Sequence, residues 1–416
     1  MSLYYPEIKG GLQPQARSGH TAVLYNGKII IHGGYNETFS TGDRNDIYMP
    51  TNEIWCYDIE VSQWTRIGTK GDHPATGISG AVSCVVGDSL ILFGGFAQNF
   101  GRLDLVFELN LTNMVWRNLT KAGLIHGARP SKRDKFVCWV QHSQIAYFGG
   151  FGYPPNSENG VNGEFCYDEF PIGVGFDGIG WNNFVCVLDL SNPEEFRWRY
   201  PDTGKIKPSP RAAHAGTKVG SKGYVFGGRH KDQRLNDMFY LDLDEYKWSQ
   251  VEYNSPAPKG RSWNCLQSLS ERKLFLFGGI DTEGDSLSDM WIFDTETCIW
   301  NEIEHVKEKL GQEASRIWHT GIGTSNNGQV LIFGGCTNSV FLEEPNHHCN
   351  SVVIYSIDPP SLEQLCIKRV LELLPMLRDS NSKLPRHIQE RIYPHMHAMG
   401  LSVHSSDKMH GYCSIL

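Results

Sequence analysis

The chain has 416 residues, 40% hydrophobic and 12% aromatic, enough to bury a large core, and no stretch is apolar enough to span a bilayer. Its formal net charge of −8 argues against a general nucleic-acid surface while leaving room for a local basic pocket. The 11 cysteines include no Cys-x-x-Cys pair and no signal segment precedes the first strand, which predicts reduced thiols in the cytosol or nucleus and leaves the Asn-x-Thr triplets at Asn36, Asn110 and Asn118 idle.

Six hydrophobic runs end in a glycine pair, at Gly33-Gly34, Gly94-Gly95, Gly149-Gly150, Gly227-Gly228, Gly278-Gly279 and Gly334-Gly335. Self-similarity at a period of roughly 50 residues is the signature of a kelch-type β-propeller. The fourth unit shows the full pattern: Arg211-Ala212-Ala213-His214, the strand Tyr224-Val225-Phe226, the glycine pair, Asn236-Asp237, the strand Phe239-Tyr240-Leu241-Asp242 and then Trp248. Glycine suits such a place because innermost strands crowd toward the axis, where a residue without Cβ accepts close backbone approach or positive φ.

In chain order, the second glycine precedes the Trp by 30 residues in the first unit (Gly34 to Trp64), 21 in the second (Gly95 to Trp116) and 48 in the third (Gly150 to Trp198). The spacing is 20 residues in the fourth unit (Gly228 to Trp248) and 21 in the fifth (Gly279 to Trp300). Units one and three therefore carry insertions, which on a propeller fall in the connecting loops where binding sites are built. The sixth unit has no Trp after Tyr355. Trp198 stands 14 residues before Ala212 and Trp248 stands 14 before Ser262, and Tyr4 stands 14 before Ser18. Residues 2–8 are thus expected to supply the missing outer strand of the last blade, so that the two chain ends clasp it and no sheet edge is left open.

After Asp358-Pro359-Pro360 the period of two gives way to helical spacing, with Leu362, Cys366, Val370 and Leu374 at four-residue steps. The prolines start the helix, with Asp358 or Ser361 as its cap. A second helical segment begins at Leu384-Pro385 and carries Ile388 and Ile392. The domain expectation is a propeller over 1–357, helical segments over 358–396 and a flexible tail over 397–416. On periodicity alone the helices also read as a lid packed beneath the propeller. Cys413-Ser414-Ile415-Leu416 fits a Cys-a-a-X prenylation pattern, but no polybasic run precedes it, so an unmodified tail is expected and membrane contact only if Cys413 carries a lipid.

Ser361-Leu362-Glu363-Gln364-Leu365-Cys366-Ile367-Lys368-Arg369-Val370 resembles an elongin-binding box, and Leu384-Pro385 with Ile388 and Ile392 resembles the adjacent cullin-2 box. Either pattern alone occurs in many core helices. In order, directly after six kelch units, they resemble the kelch-domain substrate receptors of cullin-2 RING ubiquitin ligases, of the kelch domain-containing protein 1/2 type. Arg17-Ser18-Gly19-His20, Gly180-Trp181-Asn182, Arg229, Arg234-Leu235-Asn236-Asp237, Arg261-Ser262-Trp263 and Trp318-His319-Thr320 carry the same resemblance, which covers nearly the full chain. It implies an all-β fold, a six-bladed kelch β-propeller with a short C-terminal helical appendix. It further implies a non-catalytic adaptor that binds elongin B/C and cullin-2 with its RING subunit, and a pocket for substrate C-terminal tails (C-degrons) ending in Gly, with Gly-Gly preferred.

The residue after each glycine pair is expected to face the central mouth: Tyr35, Phe96, Phe151, Arg229, Ile280 and Cys336. One guanidinium in an apolar ring suits an anionic group entering a mostly dry pocket. By the resemblance, Arg229 and Arg234 bind the terminal carboxylate, Ser262 completes the clamp, Trp181 and Trp263 wall the pocket, and Lys135 and Phe151 occupy pocket positions. The family has Tyr where Phe151 stands, so one hydroxyl is missing. The bland alternatives are a surface Arg229 paired with Asp232 or Asp237, and tryptophans that merely pack blades. A Gly-ended tail would be selected because any Cβ collides with close aromatic walls.

His20, His214 and His319 recur at one repeat position, but in separate blades, so each is expected to be satisfied inside its blade rather than to bind metal. His347-His348-Cys349 reads as chance loop composition. No cofactor is expected. The rival classes are a kelch oxidase using copper and a modified Tyr, for which no convincing ligand set appears, and a plain scaffold, which needs neither the helical boxes nor the arginine pair.

Overall fold

The computed structural model describes residues 2–8, 11–40, 43–155, 163–169, 178–304, 314–324, 328–338 and 346–357, with isolated positions between 308 and 373. Six antiparallel sheets have inner strands Thr21–Tyr25, Val82–Val86, Val137–Gln141, Ala215–Val219, Cys265–Ser268 and Thr320–Thr324. Each inner strand touches the next and the last touches the first, so the sheets are blades around a closed ring. Blade four illustrates the order outward: Ala215–Val219, Lys222–Phe226, Met238–Asp242 and Trp248–Val251. Blades two and three each gain a short parallel edge strand, Lys70–Gly71 and Ile125–His126.

The outer-strand tryptophans hold neighbouring blades together. Trp248 packs on Phe148 of the blade before it (centroids 4.7 Å apart), Trp198 on Phe93 (5.1 Å), Trp300 on Phe226 (5.3 Å) and Trp64 on Phe333 (5.0 Å). Such pairs contribute about 0.5–1.5 kcal/mol each beyond their buried area. In blade six, Ser2–Tyr4 pairs antiparallel with Val352–Ser356, so the N terminus closes the ring. The register corrects one expectation. Leu3 lies opposite Tyr355, as Trp248 lies opposite Leu241, whereas Tyr4 faces outward and is exposed. A shift of one residue reverses the face of a strand, and Leu3 packs into the cluster around Phe277 and Tyr355.

The glycine pair answers to two blades at once. A Cβ on Gly227 would stand 2.6 Å from the carbonyl oxygen of Arg261 in blade five, and one on Gly228 would stand 2.7 Å from Cβ of His214 in its own blade. The Gly228 amide donates to the Arg261 carbonyl at 2.8 Å, and the same bond recurs in each blade: Gly34 to Ile78, Gly95 to Arg133, Gly150 to Arg211, Gly279 to Arg316 and Gly335 to Arg17. Crowding toward the axis is therefore only half the reason; the first glycine makes room for the neighbouring blade.

The repeat arginines are part of this frame. Arg17, Arg133, Arg211, Arg261 and Arg316 are buried, and each Nη1 donates to the carbonyl of its own blade's first glycine. Arg211 and Arg261 also clasp Asp237 and Asp289 with two bonds each, at 2.6–2.8 Å. Burial pushes the Arg17 guanidinium down to about 10, against the opposing pull of Glu53.

The three repeat histidines are wedged between blades rather than satisfied inside one, and among the described residues the ring nitrogens of His214 and His319 have no hydrogen-bond partner. Their rings pack edge-on against the preceding blade, His20 on Phe333, His214 on Phe148 and His319 on Phe277, and His20 shares a 2.7 Å hydrogen bond with Thr320. Burial, then the Arg211 and Arg316 charges, push His214 and His319 down to about 3. Among the described residues no group of His, Cys, Asp or Glu is placed to hold a metal ion.

Of the expected helical appendix, Cys366, Arg369, Val370 and Leu373 are described in helical conformation, with Cys366 exposed. Leu362, Leu384, Pro385 and Cys413 lie outside the described residues.

Candidate functional site

Each inner strand is preceded by one residue with a left-handed backbone: Gly19, Gly80, Lys135, Ala213, Trp263 and Trp318, with φ between 54° and 65°. These residues form a ring of backbone hydrogen bonds in which each amide donates to the carbonyl of the blade before it, Gly80 to Gly19, Lys135 to Gly80, Ala213 to Lys135, Trp263 to Ala213, Trp318 to Trp263 and Gly19 to Trp318, at 2.8–3.1 Å. Left-handed φ at a tryptophan costs of order 1 kcal/mol, which the ring holds in place. The ring surrounds a cavity of about 120 Å³ lined by Lys135, Trp263 and Trp318 among others. This is the axial mouth.

Around it the strand-connecting loops pair into small ribbons, with Tyr35 opposite Tyr48, Phe96 opposite Arg102, Phe151 opposite Trp181 and Arg229 opposite Arg234. Blade four thus places two arginines directly across a two-stranded ribbon, an arrangement that is repulsive by itself. Arg234 Nε donates to Ser262 Oγ at 3.0 Å, from blade four to blade five. Burial and then the Arg229 charge push the Arg234 guanidinium down from its ordinary range, with Asp281 and Glu283 pulling the other way.

Arg229 does not pair with either expected acid. Asp237 is held by Arg211, and Arg229 Nε donates instead to the Lys231 carbonyl at 2.7 Å. Its guanidinium lies over the Trp181 ring at 5.5 Å, and Trp181 packs on Phe151 at 5.1 Å. In the axial ring, Trp263 stacks on Trp318 at 5.5 Å and the Lys135 ammonium sits 5.3 Å from the Trp318 ring centre. Arg229, Arg234, Ser262, Trp181, Phe151, Lys135 and Trp263 therefore converge on one face of the propeller. Tyr35 is buried beneath them, edge-on to Trp318 at 5.5 Å, where it supports the wall.

The residue after the glycine pair does not always face the mouth. Ile280 and Cys336 are fully buried and pack with Ile317, Trp263 and Trp318, because their hairpins fold over them. Nor is His347-His348-Cys349 idle loop sequence. His348 Nδ1 shares a 2.9 Å bond with Ser18 Oγ, its ring lies edge-on to Tyr35, and the Cys349 thiol donates to the Gly334 carbonyl.

Sequence reasoning missed Trp318, Arg102 and Asp134. Trp318 follows Arg316 as Trp263 follows Arg261, a signal present in the repeat. Arg102 stands six residues after Phe96, whereas Arg234 stands five after Arg229, so the longer hairpin hid their equivalence.

Comparison with known proteins adds the family. The model of the KLHDC2/KLHL20/DRC7 Kelch-repeats domain matches residues 1–150 and 174–335. Kelch domain-containing protein 2 of Bos taurus is 37% identical over 379 residues, covering 90% of this chain and 89% of that protein. The human protein of the same name is 36% identical with the same coverage, and human Kelch domain-containing protein 1 is 32% identical, covering 91% of this chain and 89% of that protein. The solved structure of YjhT superposes with a TM-score of 0.58 over 83% of this chain and 96% of that one, at 16% identity, a likeness of fold alone.

Proposed function

The chain belongs to the family of kelch domain-containing proteins 1 and 2, and on that premise we propose that it is the substrate-recognition subunit of a cullin-RING ubiquitin ligase, binding C-terminal tails that end in Gly. The observation that carries this reading is the opposition of Arg229 and Arg234 at the mouth, with a neutral hydroxyl, Ser262, on the Arg234 side. Two guanidiniums in that arrangement gain from an anion between them, and a free α-carboxylate has the planar, two-pronged geometry that arginine matches best. Trp181, Trp263 and Trp318 around a narrow mouth favour terminal residues without a Cβ.

In this reading the protein performs no bond chemistry. It raises the local concentration of a substrate near a ubiquitin-loaded partner, working in the cytosol or nucleus. The tail from 358 onward supplies the contact with elongin B/C and cullin-2 through Leu362, Cys366, Val370, Leu384 and Pro385. Charged substitutions at Leu362 and Cys366 are then expected to abolish co-purification with elongin C; retained co-purification removes the ligase reading and leaves a scaffold.

The mouth is tested by fluorescence polarisation with a peptide ending in Gly-Gly. Each lost charge-assisted bond contributes about 1.5–3 kcal/mol, so amidation of the peptide or Arg229→Ala is expected to weaken binding roughly tenfold or more. Equal affinity for the acid and the amide overturns the carboxylate reading.

A further inference from the structure

The ribbons of blades two, three and four carry one continuous layer of guanidiniums and rings. Each ribbon sets a pair of side chains directly across from one another: Phe96 with Arg102, Phe151 with Trp181, and Arg229 with Arg234. Arg102 lies 4.7 Å over Phe151 and 5.9 Å over Phe96, Phe151 packs on Trp181 at 5.1 Å, and Arg229 lies 5.5 Å over Trp181. The aromatic pair of blade three is therefore bracketed by two arginines, with Arg102 at the end away from the Arg229–Arg234 pair.

Arg102 is a cation with donors to spare. Its Nε donates to Asp134 Oδ1 at 3.3 Å, while neither Nη meets an acceptor among the described residues and neither is sealed from solvent. The rings lie against the guanidinium and the side chain is 16% exposed, which leaves open the edge bearing both Nη groups. That edge presents two parallel N–H bonds, the geometry a carboxylate matches. Asp134 is almost wholly buried and spends its second oxygen on the Lys135 ammonium at 2.7 Å. Two cations around one carboxylate leave the corner with a net positive charge, in partly dry surroundings where Coulomb attraction is stronger than in bulk water.

We infer that this blade-two corner is a second anion subsite, in which Arg102 binds the side-chain carboxylate of a Glu or Asp upstream of the terminal pair of a bound tail. This rests on the carboxylate reading of Arg229 and Arg234 and narrows the substrate class to Gly-ended tails that carry an acidic residue near the end. The three contacts that join Arg102 to Arg229 set the spacing, since an extended chain, at about 3.3–3.6 Å per residue, covers them in about four residues. The acidic residue is accordingly expected at the third to fifth position from the C terminus.

The test uses the full chain and fluorescence polarisation of peptides ending in Gly-Gly, with Glu, Gln or Lys at each of the third to eighth positions from the C terminus. At one or two of positions three to five the wild type is expected to bind the Glu peptide roughly fivefold tighter than its Gln counterpart, the size of a partly screened charge-assisted bond, and the Lys peptide weaker than either. Arg102→Gln is expected to abolish the Glu preference and Arg102→Lys to retain part of it, while Asp134→Asn, which raises the charge of the corner, widens it by roughly a further threefold. An Arg102 that only braced Phe151 and Trp181 would, when replaced, weaken Glu and Gln peptides alike and leave their ratio unchanged. Equal binding of Glu and Gln peptides at every position overturns the inference, as does a Glu preference of one size at all positions that survives Arg102→Gln, which would mark only the general field of the mouth. Loss of discrimination between the free acid and the C-terminal amide in the wild type would instead overturn the carboxylate reading, even where a Glu preference that depends on Arg102 persists.

Discussion

Two sets of arginines in this chain have opposite surroundings. Arg261 is wholly buried and saturated, bonded to the carbonyls of Lys259 and Gly278 and clasped to Asp289. Arg234, whose Nε meets the very next residue, Ser262, is half-exposed at the mouth and faces a second arginine. The contrast teaches that the same side chain is frame where its donors are all bound by its own repeat unit, and is placed at the mouth where the fold brings two cations across one ribbon.

The strongest way to break this comparison is to truncate a frame arginine. Arg261→Ala empties a wholly buried site and leaves the half-buried Asp289 with Trp291 alone, and is expected to cost about 2–4 kcal/mol of stability in urea denaturation, against less than about 0.5 kcal/mol for Arg229→Ala. Similar losses for the two variants would erase the distinction.

Acid sharpens the same contrast, because the frame also encloses histidines. His214 and His319 are pushed down to about 3 and His32 to about 4, in each case mainly by burial. Each takes up a proton near 6.5 once unfolded, so between these values the unfolded chain binds more protons than the folded one, and stability is lost as pH falls from about 6.5. By pH 4.5 the loss approaches about 2–3 kcal/mol for each such histidine, and His214→Gln is expected to remove one share of that slope. A stability that stays level from pH 7 to 4.5 would show these rings to be solvated.

Smaller effects probe the mouth. Ser262→Ala removes one hydroxyl from the Arg234 side and is expected to weaken a Gly-Gly peptide about fivefold, with the loss vanishing in an Arg234→Ala background, since coupled partners are not additive. Phe151→Tyr adds a hydroxyl at the edge of the wall and is expected to change affinity less than about threefold, because Arg102 and Trp181 already pack on that ring.

Much of the architecture is legible in the chain because each part answers a local need that repeats. A glycine pair that must admit a neighbouring carbonyl, an arginine that must reach its own blade's glycine, and a tryptophan that must fill the gap behind a phenylalanine each leave a residue at a fixed offset. The closing N-terminal strand was legible for the same reason. Its register was not, since Leu3 and Tyr4 differ only in which face of a strand they occupy, and counting residues across a loop does not fix that. In the mouth, Arg229, Arg234 and Ser262 were readable through family resemblance, whereas Arg102 was hidden by a one-residue difference in hairpin length and Ile280 and Cys336 by burial that depends on the loops above them.

The sequence by itself determined the number of blades, the points where each strand turns, and which end closes the ring, because those follow from backbone requirements met within one repeat or between adjacent ones. Only the tertiary structure decided which cations at the mouth are neutralised. That balance depends on side chains delivered by different blades, Asp134 reaching Arg102 and Ser262 reaching Arg234, and a charge is cancelled by what stands within a few ångströms of it, however far away along the chain.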